Sequence, residues 1–105
     1  HTPLLLIIGH TGCGAIAAAT REDDSLEPSI KKELLNLNLP IRKKDPTDED
    51  LHINVEANVH NQVEEGLRQY KDLVDQKQLI VVGAVYDFRN EYGAGEGKLV
   101  FLNIN

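Results

Sequence analysis

The sequence has 105 residues and a formal net charge of -6, from 11 basic and 17 acidic side chains. This length suits one domain with one hydrophobic core, and the acidic balance argues against a nucleic-acid partner. The longest strongly apolar stretch covers residues 4–8, far short of the roughly 20 residues that span a bilayer. We therefore expect a single domain over residues 1–105 with no membrane partner. Its lone cysteine cannot form an intramolecular disulfide, which predicts a reducing, cytoplasmic location.

The first predicted element is a buried strand. An apolar run from Pro3 to Gly9 lacks the alternation of a half-buried strand, and such runs are typical of strands covered on both faces in parallel sheets. A segment of small residues from Gly12 to Ala19 follows, and its alanines favour a helix. The sequence therefore predicts a strand, a glycine-rich turn and a helix in that order.

A short helix and a loop are predicted next. Pro28 suits the first turn of a helix over residues 28–35. The helix and the residues just beyond it would place three apolar side chains on one side: Ile30, Leu34 and Leu37. The polar segment 36–46 is predicted to be a surface loop.

A long helix begins after this loop. Thr47, with Asp50 three residues later, forms the sequence pattern of a capping box. Beyond it, apolar residues recur at intervals of three and four, which places them on one face of a helix that packs against the rest of the protein. These residues are Leu51, Val55, Val59, Val63, Leu67, Tyr70 and Val74.

Two more strands complete the predicted fold. Residues 78–86 contain a second continuous apolar run, and a helical connection between two such strands makes them parallel. A glycine-containing turn at 89–97 leads to a strand at 98–104, whose close spacing predicts an antiparallel edge. The fold class is therefore α/β, with a partly parallel sheet and flanking helices.

The residues with the clearest chemistry lie just after the first strand, in the motif Gly-His-Thr-Gly-Cys-Gly at 9–14. The carboxyl ends of parallel strands open into the crevice where α/β proteins bind ligands. His10 and Cys13 supply imidazole and thiolate across a tight turn, and both groups are preferred ligands of Zn²⁺. Alternatively, Cys13 is a small packing residue and His10 a hydrogen-bonded histidine at a strand end.

Cys13 also fits, less well, a nucleophile elbow at the top of a sheet. That motif requires Gly two residues before the nucleophile, where this chain has Thr11. Its general base would have to be His52 or His60, which the pattern places near or on the long helix. A phosphate-binding P-loop is excluded in practice, because Ala15 and Ile16 replace the required Lys-Ser/Thr.

Four motifs, in order along the chain, resemble the β-class carbonic anhydrases. The run at 7–16 is similar to that family's strand followed by His-x-x-Cys-Gly. Asn58-Val59 with Gln62-Val63 resembles its Asn-Val-x-x-Gln-Val, and the segment 83–87 resembles its Gly-x-x-Tyr-Asp. Residues 97–102 are similar to its closing strand.

The resemblance implies a zinc protein that interconverts CO₂ and bicarbonate. In that family two Cys and one His hold zinc, and His10 and Cys13 correspond to the second and third of these ligands. The first comes from Cys-x-Asp-x-Arg on an earlier strand, a motif that this sequence lacks. Two protein ligands are fewer than the three of a catalytic zinc. We therefore expect a truncated β-carbonic-anhydrase-like fold without the amino-terminal part, with an incomplete zinc site and no catalytic residue assigned.

Three functions remain open at this stage. The first is a carbonic-anhydrase-like zinc protein that is weak or inactive as this isolated chain. The second is a noncatalytic self-association module of the same fold, since the family forms dimers and an exposed strand near Leu4 to Ile8 predicts a homo-oligomer. The third is a cysteine hydrolase with Cys13 as its nucleophile. Tyr86 is expected in the core rather than in a bicarbonate pocket, and Asn58 and Gln62 are expected to form hydrogen bonds without a catalytic role.

Overall fold

The fold is a three-stranded sheet with helices packed on one face, seen in a computed structural model that describes residues 2–21 and 25–104. The described part contains these elements in chain order: β1 (Leu4–His10), α1 (Gly14–Thr20), α2 (Pro28–Leu35), α3 (Asp48–Gln69), α4 (Lys71–Asp75), β2 (Ile80–Asp87) and β3 (Lys98–Ile104). No helix in this part of the chain is both long and apolar enough to cross a membrane.

The sheet has the order β1-β2-β3 and is partly parallel. β1 runs parallel to β2, with Leu4 opposite Ile80 and His10 opposite Tyr86. β3 returns antiparallel on the other side of β2, at the edge of the sheet. The predicted α/β class, the parallel pair and the antiparallel edge strand are therefore confirmed.

The core forms where α3 lies across β1 and β2. Val55, Val59 and Val63 on α3 pack against Val81 and Val85 on β2, and all five are at least 95% buried. The helix approaches so closely that a Cβ on Gly9 would lie 2.7 Å from a methyl of Val59. Gly9 therefore permits this contact, and any larger residue would push α3 away from the sheet.

The predicted capping box is present, but the predicted long helix ends earlier than its apolar pattern. The Thr47 side chain accepts from the Asp50 N–H at 3.1 Å, and the Asp50 carboxylate accepts from the Thr47 N–H at 2.8 Å. The helix ends at Gln69, and Tyr70, with φ -113 and ψ 29, separates it from α4. The expectation that Tyr70 shares the buried face is wrong, because its side chain is 40% exposed.

The short helix α2 has the predicted bounds. Its apolar side is only partly covered, since Leu34 is half-buried and Ile30 remains exposed. Leu37, just beyond it, packs against the core.

Asn54 is fully buried on α3 and forms hydrogen bonds that connect this helix to the end of α1 and to the loop at Ile41. Its amide donates to the Thr20 hydroxyl at 2.8 Å and to the Ile41 carbonyl at 2.7 Å, and its oxygen accepts from the Ile41 N–H at 3.1 Å. Thr20, at the end of α1, in turn donates to the Ile16 carbonyl at 2.6 Å. Both polar atoms of the Asn54 side chain are hydrogen-bonded. These bonds offset the desolvation cost of burying the amide.

The opposite face of the sheet has no helix on it among the described residues. Leu4 and Ile8 of β1 and Phe101 of β3 are each more than half exposed. The prediction that β1 is covered on both faces is therefore wrong, because helix α3 covers only one of them. β1 also forms one edge of the sheet, so its outer backbone groups have no strand partner in this part of the chain. Edge strands of this apolar kind tend to pair with another strand.

Candidate functional site

The candidate site lies where β1 and β2 end side by side. Because these strands are parallel, His10 and Tyr86 are neighbours in the register, and Asp87 is the last residue of β2. Cys13 is the N-cap of α1, directly after the tight turn at Thr11 and Gly12. The topology therefore brings the His-x-x-Cys turn next to the loop that follows β2.

His10 is held by a hydrogen bond that fixes which ring nitrogen carries a proton. Its Nδ1 lies 3.0 Å from the Thr11 carbonyl oxygen. A carbonyl only accepts, so Nδ1 carries the hydrogen and the Nε2 of the neutral ring retains its lone pair. The same arrangement orients metal-binding histidines in proteins. The ring also packs edge-on against Phe88, at a centroid distance of 5.7 Å.

Cys13 is a free, half-buried thiol. It packs beside the core and makes no hydrogen bond to a histidine within the described residues. Its side chain lines a cavity of about 240 Å³ between the β1–α1 turn, α3 and the loop after β2. Polar and charged residues form much of the remaining wall: Arg21, Asp48, His52, Arg89 and Glu91.

Asp87 organises the loop after β2 from a fully buried position. Its carboxylate accepts backbone N–H groups from Arg89 at 3.2 Å, Glu91 at 3.0 Å and Tyr92 at 2.9 Å. Burial raises the pKa of Asp87, but the three N–H donors and the Thr11 hydroxyl outweigh it, so the net pKa lies below its usual value.

Thr11 connects Asp87 to the turn between the two predicted zinc ligands. Its hydroxyl donates to Asp87 at 3.5 Å and accepts from the Phe88 N–H at 2.9 Å. Its backbone N–H donates to the Tyr86 carbonyl at 3.1 Å. The turn and the loop are therefore joined by three hydrogen bonds centred on one buried threonine.

Arg89 lies directly over Gly12. A Cβ on Gly12 would be 3.0 Å from the Arg89 Nε and 3.2 Å from its Cζ, and the Gly12 φ of 69 favours glycine independently. The guanidinium therefore lies close to the Gly12 backbone, next to Cys13. Any side chain at position 12 would displace it.

His52 belongs to a second polar cluster that ties the same loop to α3. Its Nδ1 lies 2.8 Å from a Glu91 oxygen and its Nε2 lies 3.3 Å from a Glu56 oxygen. The Tyr92 hydroxyl donates to Glu56 at 2.5 Å. Burial is the largest cause of a raised Tyr92 pKa, and this hydrogen bond is the next. Both nitrogens of His52 are engaged, which disfavours it as a further zinc ligand or as the base of a hydrolase.

The other candidate residues are placed away from this centre or are exposed. His60 is an exposed residue of α3. Tyr86 is 36% exposed on the uncovered face of the sheet, so the expectation that it lies in the core is wrong. Its ring lies against the Phe88 ring in a tilted arrangement, at a centroid distance of 4.6 Å. Gln62 is exposed, whereas the side-chain oxygen of Asn58 is buried and has no hydrogen-bond partner in the described part of the chain.

The donor chemistry of His10 and Cys13 fits zinc, but the number of donors does not complete a site. One imidazole lone pair and one thiol are ligands that Zn²⁺ prefers. Across residues 2–21 and 25–104, no group of three or more His, Cys, Asp or Glu side chains is arranged to hold a metal ion. We therefore derive no catalytic step through a metal from these residues alone.

Sequence reasoning placed Asp87 in the Gly-x-x-Tyr-Asp resemblance but missed its role in organising the loop. It also missed Arg89 and Asn54. Asp87 carried one available signal, an acid at the end of an otherwise apolar strand. A carboxylate there needs donors, and the following loop is the nearest source of N–H groups. Arg89 and Asn54 carried none, because an arginine in a loop and an asparagine in a helix are usually solvated.

Comparisons with known proteins place the chain in a recognised group. The sequence model of the family described as carbonic anhydrase matches residues 1–95. Two similar solved structures are mutants of the β-carbonic anhydrase CafD of the filamentous fungus Aspergillus fumigatus. One has a TM-score of 0.61 at 21% identity over 96% of this chain, and the other a TM-score of 0.55 at 25% identity over 81%. The chain spans 57% and 51% of these two proteins. A direct comparison with curated protein sequences gives no match.

The lowered pKa of Asp87 predicts how stability depends on pH. Because its folded pKa is below the model-peptide value of 3.8, its stabilising contribution is fully present above that value and is lost as the pH falls through the folded pKa. Urea unfolding between about pH 5 and about pH 2 should therefore show a steeper loss of stability for the wild type than for Asp87→Asn. The exposed Asp75→Asn is the matched control and should follow the wild type. Parallel curves for wild type and Asp87→Asn would contradict this assignment.

Proposed function

Because the chain belongs to the β-class carbonic anhydrase family, we propose that His10 and Cys13 contribute two ligands to a zinc site for the interconversion of CO₂ and bicarbonate. The observation that carries this proposal is the bond from His10 Nδ1–H to the Thr11 carbonyl, which leaves Nε2 available three residues before a free thiol. Zinc, when bound, supplies Lewis acidity for the attack of water on CO₂.

The isolated chain is proposed to be weak or inactive as an enzyme. A catalytic zinc normally has three protein ligands and one open position, and the described residues supply two. His10 would keep its orientation through Thr11, and Thr11 would keep its own through Asp87. These residues prepare part of a metal site, and a third ligand would have to come from another segment or another chain.

A second candidate is a noncatalytic module that associates with itself in the cytoplasm. The unpaired edge of β1 and the exposure of Leu4 and Ile8, at 58% and 53%, favour it. A homo-oligomer would cover these side chains and satisfy the outer backbone groups of β1. A cysteine hydrolase has less support, because no base is hydrogen-bonded to Cys13 within the described residues.

Cobalt binding tests the metal proposal. We expect Co²⁺ titration of the reduced protein to give a thiolate-to-metal absorption band that Cys13→Ala abolishes. His10→Ala should weaken binding by about tenfold or more, because a removed ligand costs at least as much as a removed supporting group. The exposed His60→Ala is the matched control and should bind like the wild type. CO₂ hydration should stay at the buffer rate, and turnover that is lost in Cys13→Ala would contradict the inactive part of the proposal.

Sedimentation over a range of concentrations tests self-association. The wild type should gain mass as its concentration rises, because the β1 edge pairs with a second copy. Ile8→Lys should move the equilibrium toward monomer, since a charge on this strand opposes its burial. Ile30→Lys, an equally apolar and exposed position on α2, should leave it unchanged. A wild type that remains monomeric at high concentration would argue against the module.

A further inference from the structure

Four side chains attach the loop between β2 and β3, residues 88–97, to helix α3. His52 and Glu56 lie on the helix, and Glu91 and Tyr92 lie on the loop. The His52 Nδ1 is 2.8 Å from a Glu91 oxygen, and the Tyr92 hydroxyl donates to Glu56 at 2.5 Å. The His52 and Tyr92 rings are also neighbours, with centroids 4.7 Å apart. We call these four residues the His52 cluster.

The hydrogen bonds of the cluster are complete only when the His52 ring carries two hydrogens. Its Nδ1 faces Glu91, and its Nε2 lies 3.3 Å from a Glu56 oxygen. An ionised carboxylate only accepts hydrogen bonds, and a neutral imidazole has a single N–H. In the neutral ring one nitrogen would therefore present its lone pair to a carboxylate oxygen, which is a repulsive contact. The positively charged ring donates to both carboxylates.

The groups around the cluster have a net negative charge. His52 lines two cavities together with residues from α1 and its turn, from the first turn of α3 and from the loop: Cys13, Arg21, Asp48, Glu49 and Arg89. With Glu56 and Glu91 included, carboxylates outnumber guanidinium groups on these walls. A positive charge on His52 therefore meets no net repulsion from its surroundings.

We propose that the His52 cluster is a pH-sensitive switch, which holds the loop on α3 while His52 is protonated and loosens it when the ring loses a proton. Histidine is the side chain that normally changes charge between about pH 5 and about pH 8. Loss of the proton removes one donor and leaves Glu56 and Glu91 as two negative groups on a neutral ring. The same loop places Arg89 over Gly12, so the switch sets how firmly this guanidinium is held beside the His-x-x-Cys turn.

Asp87 supplies a local reporter that does not itself titrate near neutral pH. Its pKa is lowered from 3.8, so its carboxylate stays ionised over the range in which histidines change charge. It accepts from the backbone N–H groups of Glu91 and Tyr92. These two amides are protected from exchange with solvent while the loop is in place, and they lose protection when it opens.

The test is amide hydrogen exchange of the metal-free protein, measured by NMR between about pH 5 and about pH 8. After correction for the intrinsic pH dependence of exchange, protection of the Glu91 and Tyr92 amides should fall by about tenfold as His52 titrates. This fall is the equivalent of one lost charge-assisted hydrogen bond. His52→Gln removes the titrating group and should show no fall. His60→Gln, at an exposed position of the same helix, is the matched control and should behave like the wild type.

Two further variants separate the switch from other titrating groups. His10 is a second histidine in contact with this loop, through Phe88, and His10→Gln should keep the full fall in protection. Glu91→Gln should reduce the fall, because an amide can face either form of the His52 ring. Neither variant touches the reporter bonds to Asp87. Protection that stays constant over this pH range in the wild type, or a fall that persists in His52→Gln, would overturn the proposal.

Discussion

A carboxylate that is fully excluded from solvent needs hydrogen-bond donors, and Asp87 obtains them from the loop that follows its own strand. Three hydrogen bonds from the backbone N–H groups of Arg89, Glu91 and Tyr92 fold that loop back over the end of the sheet. The Thr11 hydroxyl extends the same network to the turn that follows the neighbouring strand. The position of the His-x-x-Cys turn relative to Arg89 therefore depends on one buried acid.

This network works because β1 and β2 are parallel and in register. Their carboxyl ends meet, so a turn that follows His10 and a loop that follows Asp87 become neighbours although they are distant in sequence. The close packing of α3 on Gly9 sets the distance between this helix and the same sheet. Asn54 and the cluster around His52 then attach α1 and the loop to α3. The cavity next to Cys13 lies between these connected segments.

Much of this fold follows from local pattern. Continuous apolar runs predicted both parallel strands, and the Thr47 capping box predicted the start of α3, because these signals depend on neighbours in sequence. The exposure of Tyr86 did not follow, because it depends on which face of the sheet a helix covers. The break at Tyr70 did not follow from the apolar pattern, which continues through it to Val74. The approach of Arg89 to Gly12 is a contact between residues 77 positions apart in the sequence, and composition and periodicity carry no signal for it. His10 and Cys13 were identified as candidate ligands by residue type and spacing, and their shared role remains a proposal.

The protein sets the orientation of His10 without a metal, through the Thr11 carbonyl. Long-range proton–nitrogen correlation spectra of metal-free protein at alkaline pH measure this directly. The structure predicts that Nδ1 of His10 carries the hydrogen and that Nε2 is unprotonated. A neutral His10 that carries its hydrogen on Nε2 would contradict the account, because the nitrogen proposed to bind zinc would then be blocked.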